Sequence, residues 1–216
     1  MKGGLQFVVI LGLIASLFFN FYLFKENKKL TQGMKIIAVL DGDTILLENK
    51  VRVRLRQIDA PELKYCGGNE AKELLTKLVL NKNITLTENI LDQQGRPMAL
   101  IYVGNKIINQ QMLESGWVRF HHDQTFANEE LKKIAEKIKN DKKGIYSEKC
   151  YQTENKENPK CNIKGNVDKN STKRLYYYPG CVNYKFTIVE KDIGESWFCT
   201  EKEAEAAGFT KSKTCR

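Results

Sequence analysis

An α+β fold built around a small β-barrel is predicted for the body of this chain by three features of its sequence. Strand-like runs are short and alternate apolar with polar residues, turn residues punctuate them, and helical periodicity falls in separate blocks. The resulting order is strands, helix, strands, helix, helix.

Met34–Leu40 (MKIIAVL) is apolar and β-branched, as a strand requires, and Asp41-Gly42 turns the chain. Thr44–Leu47 and Val51–Arg56 are the next strands, with Glu48-Asn49-Lys50 as the hairpin loop between them. In the second of these, Val51, Val53 and Leu55 point to one face, and Arg52, Arg54 and Arg56 to the other. Asn69–Leu80 carries Ala71, Leu74, Leu75, Leu78 and Val79 at helical spacing. Asn83–Glu88 alternates again, Met98–Val103 is a strand, Gly104-Asn105 a hairpin turn and Lys106–Ile108 the returning strand. Gln110–Glu114 is a short helix ending at Gly116. Asn128–Asp141 is amphipathic, burying Leu131, Ile134, Ala135 and Ile138, and Gly144 stops it. Tyr151–Lys160 has no apolar periodicity and reads as a linker. From Cys161 onward, CNIKGNV, RLYYY and SWFC read as strands, and Thr200 with Glu203 forms a capping box for a helix over Glu201–Ala207. The expected organisation is a membrane segment and connector over 1–32, the barrel domain over 33–150, a linker over 151–160 and a small cysteine-containing α+β module over 161–216.

The 216 residues, 42% hydrophobic and 28% charged, suffice for one ordinary core and an appendage. A formal net charge of +9, from 35 Lys and Arg against 26 Asp and Glu, suits a polyanionic partner such as nucleic acid or an anionic membrane surface. The same charge also fits a lysine-rich, solvated surface. Gly3–Phe24 carries no charge and is long enough to cross a bilayer as a helix. Ala15 and Ser16 give no small-residue cleavage pattern, so an uncleaved signal anchor in the cytoplasmic membrane is favoured over a cleaved, secreted form. Lys25, Lys28 and Lys29 after the span would hold the body in the cytoplasm by the positive-inside rule. Six cysteines argue for an oxidising compartment instead, and on their weight the body is expected outside the membrane, at the cell surface or in the periplasm.

The chemistry concentrates in Asp41-Gly42-Asp43-Thr44 and Val51–Glu62 (VRVRLRQIDAPE). A strand needing only burial would not collect Asp43, Asp59 and Glu62 where their like charges repel. A positive partner is expected there, a metal ion or an arginine engaged with phosphate. Arginines on one face of a strand are usually a solvated surface, but these lead straight into IDAPE. His121 and His122, the only histidines, have no zinc-ligand spacing to a cysteine or carboxylate, and Trp117 and Phe120 are read as packing residues.

DGDT, then VRLRQIDAPE, then DQQGR leading into a strand, together resemble the staphylococcal nuclease (thermonuclease) family over Met34–Cys150. The resemblance implies an OB-like five-stranded β-barrel with three helices and calcium-dependent hydrolysis of phosphodiester bonds in DNA and RNA. It places the metal carboxylates on Asp43 and Asp59, a further oxygen on the backbone carbonyl of Ala60, and Asp41 near the metal in an outer shell. Its catalytic trio falls on Arg54, Glu62 and Arg96. Calcium prefers six to eight oxygens, which such a set with phosphate and water could supply. Glu62 would activate water, while Arg54 and Arg96 would hold phosphate oxygens through bidentate forks that lysine cannot reproduce. Two positions depart from the pattern: Ala60, where some members have threonine, and Gln94, where a tyrosine often contacts the nucleotide phosphate.

The C-terminal stretch, with YYYPGCVNY and GESWFCTEKEAEAAGF, resembles the small sunset domain found beside such nucleases, and is also similar to the zinc module of bacterial alkylation-repair proteins. Cys161, Cys181, Cys199 and Cys215 permit a four-thiolate zinc site, but no C-x-x-C pair supports one, and two disulfides are the preferred reading with the pairing open. Cys66 and Cys150 are expected to bridge the loop after DAPE to the tail of the third helix. The leading expectation is therefore a membrane-anchored, monomeric nuclease. Its rivals are a non-catalytic OB-fold nucleic-acid-binding protein and an envelope protein acting through its C-terminal module.

Overall fold

The computed structural model describes residues 12–20, 32–169 and 171–215. Six strands form the main sheet: β1 (Gln32–Val39), β2 (Thr44–Leu47), β3 (Arg52–Leu55), β5 (Asn83–Leu91), β6 (Pro97–Val103) and β7 (Lys106–Ile107), in the order β3-β2-β1-β5-β6-β7. A further parallel pairing, Arg54 with Met98 and Leu55 with Ala99, joins β3 to β6. Each of β1, β2, β3, β5 and β6 thus pairs with at least two neighbours, the circular order of an OB-like barrel. Irregularities in the β1 and β5 ladders supply the bends such curvature requires; in β5 the register shifts between Thr87 and Ile90, where Glu88 adopts a φ of 55°.

The strands turn Ile36, Ile45, Val53, Leu55, Ile84 and Leu100 into a core with almost no exposed surface. Helix α2 (Gly68–Val79) covers it with Ala71, Leu75 and Val79 at helical spacing, as the apolar pattern predicts. Helix α3 (Ile108–Ser115) and helix α4 (Asn128–Asn140) pack together beyond it, contributing Met112, Leu113 and Leu131. Trp117 and Phe120 pack against the same cluster, as expected.

Asn109 of α3 is fully buried and is the polar fastener of this domain. Its side chain accepts from Ile101 N at 2.9 Å and donates to Arg56 O at 2.7 Å and Ala99 O at 3.2 Å. Replacement by alanine strands the Ile101 N–H and the Arg56 carbonyl without solvent. Asn109→Ala is therefore expected to lose about 2–4 kcal/mol, read as a lower urea midpoint at unchanged slope.

Two expectations are corrected here. Arg56, on the strand face that is usually a solvated surface, is only 5% exposed. Strand β3 stops at Leu55, and at Gln57 the backbone turns with a φ of 65°, so strict alternation no longer governs Arg56. Its guanidinium enters the interior, where it donates to the Asp123 carboxylate, to Glu88 O at 2.7 Å and to Gln124 O at 3.1 Å. Arg52 is exposed, as expected. The stretch expected as a linker, Tyr151–Lys160, opens as an ordered strand. Tyr151–Gln152 (β9) pairs with Val189–Glu190 (β12), and Trp197 Nε1 donates to Gln152 Oε1 at 2.8 Å.

The C-terminal residues build a second sheet, β13 (Ser196–Phe198), β10 (Ile163–Val167), β11 (Arg174–Tyr177) and β14 (Thr210–Lys211), capped by helix α5 (Glu201–Ala206). Its small core is Ile163, Tyr176, Phe198, Ala204 and Phe209. Gly165 lies under two aromatic rings, since a Cβ there would meet Phe198 at 2.6 Å and Phe209 at 2.9 Å. The Thr200 cap forms, with Glu203 N donating to Thr200 Oγ1 at 3.2 Å, while the Glu203 carboxylate reaches one residue further back than a capping box requires and accepts from Cys199 N at 2.9 Å. All six cysteines pair, Cys66–Cys150, Cys161–Cys199 and Cys181–Cys215. The first is the expected bridge, and the others leave no thiolate for the zinc alternative.

Most of the apolar span Gly3–Phe24 lies outside the described residues. The described part, 12–20, is helical (α1), with Leu13, Leu17, Phe18 and Phe19 exposed. Among the described residues no helix is long and apolar enough to cross a membrane.

Candidate active site

The edge where β2, β3 and the short strand β4 (Ile58–Asp59) meet gathers most of the residues singled out from sequence. Pairing of Thr44 with Arg54 sets the DGDT turn beside the arginine. Asp43, 2% exposed, has Oδ1 accepting from Arg54 Nη1 at 2.5 Å and from the Thr44 hydroxyl at 3.0 Å, and Oδ2 accepting from Ala60 N at 2.7 Å. Asp59 accepts from Arg54 Nη2 at 2.5 Å, so one guanidinium is gripped by two carboxylates. Asp41 accepts from Asp43 N at 3.0 Å, closing the turn from its other side.

Gly42 is required by space. A Cβ there would lie 2.5 Å from Ala71 Cβ and 2.6 Å from Ala60 Cβ, so the turn sits directly on helix α2 and on the alanine after Asp59. Alanine at 60 thus accompanies this close approach.

Burial is the strongest influence on Asp43 and pushes its carboxyl up to about 6 despite Arg54, with Asp41 adding to the rise. For Arg54, burial opposes the charge, but Asp43 and Asp59 more than offset it and its pKa rises. Two carboxylates therefore share one arginine, with Asp41 close behind.

The guanidinium forms part of the wall of an open cavity of about 420 Å³, shared with Asp59, Arg96, His121 and His122. Arg96 stands in the turn after β5, where Asp92 accepts from Arg96 N at 2.8 Å and from its Nε at 2.7 Å. Those contacts, the backbone N–H foremost, hold the Asp92 carboxyl below its usual range. Asp59 is also approached by His121 Nδ1 at 3.4 Å. Its strand β4 is fixed by antiparallel pairing with β8 (Arg119–Phe120), Asp59 opposite Arg119.

Glu62 does not line this cavity. It follows the buried Pro61 and is exposed, in a loop that runs into α2. Tyr65 N donates to Glu62 O at 2.8 Å, and a Cβ on Gly68 would sit 2.2 Å from that same carbonyl. Glycine at 68 is thus what lets the helix begin against Glu62. The structure therefore brings together Asp41, Asp43, Arg54, Asp59 and Ala60, sets Arg96 on the shared cavity wall, and leaves Glu62 outside it.

Support residues escaped the sequence reading. Gln57 is buried, donating to Asp123 O at 3.1 Å and to Asn128 Oδ1 at 2.9 Å, and with Arg56 it fixes the segment between β3 and Asp59. The available signal was the polar pair Arg56-Gln57 between apolar Leu55 and Ile58, a place where burial demands partners.

Among the described residues no group of three or more His, Cys, Asp or Glu side chains is arranged as a metal site. By donor chemistry the fit is nonetheless to a hard cation, because the Asp43 and Asp59 carboxylates and the Ala60 carbonyl all offer oxygen.

An OB-like sheet bearing paired carboxylates and an arginine fork at one edge is the class this fold and site define. Residues 52–148 match the family model described as "Staphylococcal nuclease homologue". An "Uncharacterized endonuclease" of Escherichia coli O157:H7 is 32% identical over 120 residues, covering 53% of this chain and 76% of that protein. One of the same description from Haemophilus influenzae is 30% identical over 119 residues, covering 51% and 67%. "Probable staphylococcal-like nuclease CAN3" of Oryza sativa subsp. japonica is 43% identical over 84 residues, 39% of this chain and only 22% of the plant protein's length. The chain belongs to the staphylococcal nuclease homologue family.

Proposed function

We propose that this protein is a calcium-dependent nuclease hydrolysing phosphodiester bonds of DNA and RNA, held at the outer face of the cytoplasmic membrane by residues 3–24. The observation that carries the reading is the Arg54 fork, gripped by Asp43 and Asp59 at the rim of a cavity that Arg96 also lines. A protein that only bound nucleic acid would gain nothing from carboxylates that repel phosphate. The names of its relatives, nuclease and endonuclease, support the same chemistry.

Asp43, Asp59 and the Ala60 carbonyl would hold calcium, with Asp41 in its outer shell. Bound there, the ion supplies positive charge that offsets that of the phosphate. The remaining work falls to side chains. Arg54 donates its terminal N–H groups to phosphate oxygens as negative charge grows, and Arg96 does so from the neighbouring turn. The family resemblance gives Glu62, exposed ahead of α2 and outside the cavity wall, the proton of the attacking water.

The test is cleavage of single- and double-stranded DNA and RNA by the full chain, in calcium and in chelator, beside Glu62→Gln. The variant is expected to keep its fold and lose about 10²–10⁴-fold in rate. Undiminished cleavage by Glu62→Gln, or cleavage persisting in chelator, would overturn the mechanism.

A further inference from the structure

Glu62 sits in a loop that the nuclease homologue domain does not hold alone. Tyr65 N bonds Glu62 O at 2.8 Å, and Gly68 N bonds Tyr65 O at 3.1 Å, so Glu62, Tyr65 and the start of α2 form one hydrogen-bonded chain. That chain is gripped from outside. Cys66 N donates to Lys191 O at 3.3 Å, while Lys191 N donates to Cys150 O at 2.8 Å, so the module's backbone straddles the Cys66–Cys150 disulfide. Three residues on, Gly194 (φ 84°) lies under the Tyr65 ring, where a Cβ would meet the ring's ζ carbon at 2.5 Å and its hydroxyl at 2.6 Å.

The gripping turn is itself anchored. Arg119 donates to Asp192 Oδ2 at 2.6 Å and Oδ1 at 2.8 Å and to the Glu190 carboxylate, and its guanidinium lies 5.6 Å from the centre of the Tyr146 ring. Asp192 is 2% exposed and Glu195 3% exposed. Glu195 accepts from Glu190 N at 2.7 Å, Val167 N at 2.8 Å and Asn166 Nδ2 at 2.8 Å, which ties the turn into the module's sheet. Desolvation of this many polar groups at one interface is out of proportion to a tether and implies a fixed geometry.

We propose that the turn Lys191–Gly194 of the C-terminal module positions Glu62, acting through Tyr65 and Cys66. This rests on the nuclease reading given above. Tyr65 and the turn are positioning residues; neither touches the reacting phosphate. Proximity effects make a reacting group sensitive to displacements near 1 Å, so a loosened loop would lower turnover while leaving substrate affinity to the cavity that Arg54 and Arg96 line.

The experiment uses the full chain with Tyr65→Ala and Tyr65→Phe, measuring steady-state cleavage of DNA and amide hydrogen exchange of residues 62–68 without substrate. Tyr65→Ala is expected to lower kcat about 10-fold or more with KM within about twofold, and Tyr65→Phe, which keeps the ring over Gly194, to restore it. Exchange over 62–68 should accelerate in Tyr65→Ala alone. Unchanged exchange in Tyr65→Ala, wild-type kcat in that variant, a loss confined to KM, or failure of phenylalanine to rescue would each overturn the proposal. A wild-type chain that cleaves nothing would defeat the nuclease reading separately, because exchange still decides whether the ring holds the loop.

Discussion

Arg54→Ala is expected to destabilise the protein by about 3 kcal/mol at neutral pH and to abolish cleavage. Asp43 stays buried in that variant with its charged partner gone, which is the costly way to break an ion pair. The figure is placed at the low end because the Arg54 side chain is 24% exposed and that of Asp59 47%. The loss should depend on pH in a defined direction. Burial already lifts Asp43 from 3.8 to about 6, so across that window the native state binds more proton than the unfolded chain. This group's contribution to stability is thus greatest below 3.8 and falls as pH rises through 6. Removing Arg54 lifts the carboxyl further, so the variant's deficit should be small in acid and widen toward neutrality. Urea unfolding in chelator at the two extremes reads this directly; a deficit independent of pH would mean that Asp43 is not the group left unpaired. Arg54→Lys should recover part of the stability but not the activity, since one ammonium cannot serve both carboxylates and a phosphate with a fork.

The second large effect concerns Cys66–Cys150. This bridge closes a separation of 84 residues, against 38 for Cys161–Cys199 and 34 for Cys181–Cys215. In the chain-entropy view, loss of the longest loop costs the most, about 4–5 kcal/mol. The double variant Cys66→Ser/Cys150→Ser should therefore show a lower urea midpoint and a steeper slope, the latter because its unfolded chain is more expanded. An unchanged midpoint would mean that the bridge adds no stability to the fold.

Both effects centre on features that were unequally legible in the sequence. Arg54 and its two aspartates could be read because they fall at fixed places on a strand and its flanking turns, where alternation and turn chemistry leave little freedom. The helices were legible for the same reason, and Asn128–Asn140 departs from its expected bounds by a single residue. The disulfide partners in the C-terminal module could not be read, since the pairings permitted by four cysteines differ only in three dimensions. Nor could Arg56, whose burial depends on strand β3 ending one residue earlier than its alternating pattern suggests. The two-residue pairing of Asp59 with Arg119 leaves no local signature, yet it fixes a site carboxylate. The Asp92 contact to Arg96 is different again. It is written locally in the turn, but only the folded turn brings the aspartate onto the Nε.

The parallel pairing of β3 with β6 has a consequence for how the protein is made. Arg54 lies on the ladder that completes the sheet's circular order, against Met98, and Asp59 waits for Arg119 still later in the chain. Such non-local contacts form late, after the intervening segments have been ordered. A nascent chain threading outward from its N-terminus therefore carries Asp43, Arg54 and Asp59 well before it can assemble them. Synthesis interrupted short of Arg119 leaves a fragment in which Asp59 has no strand partner and the site is incomplete.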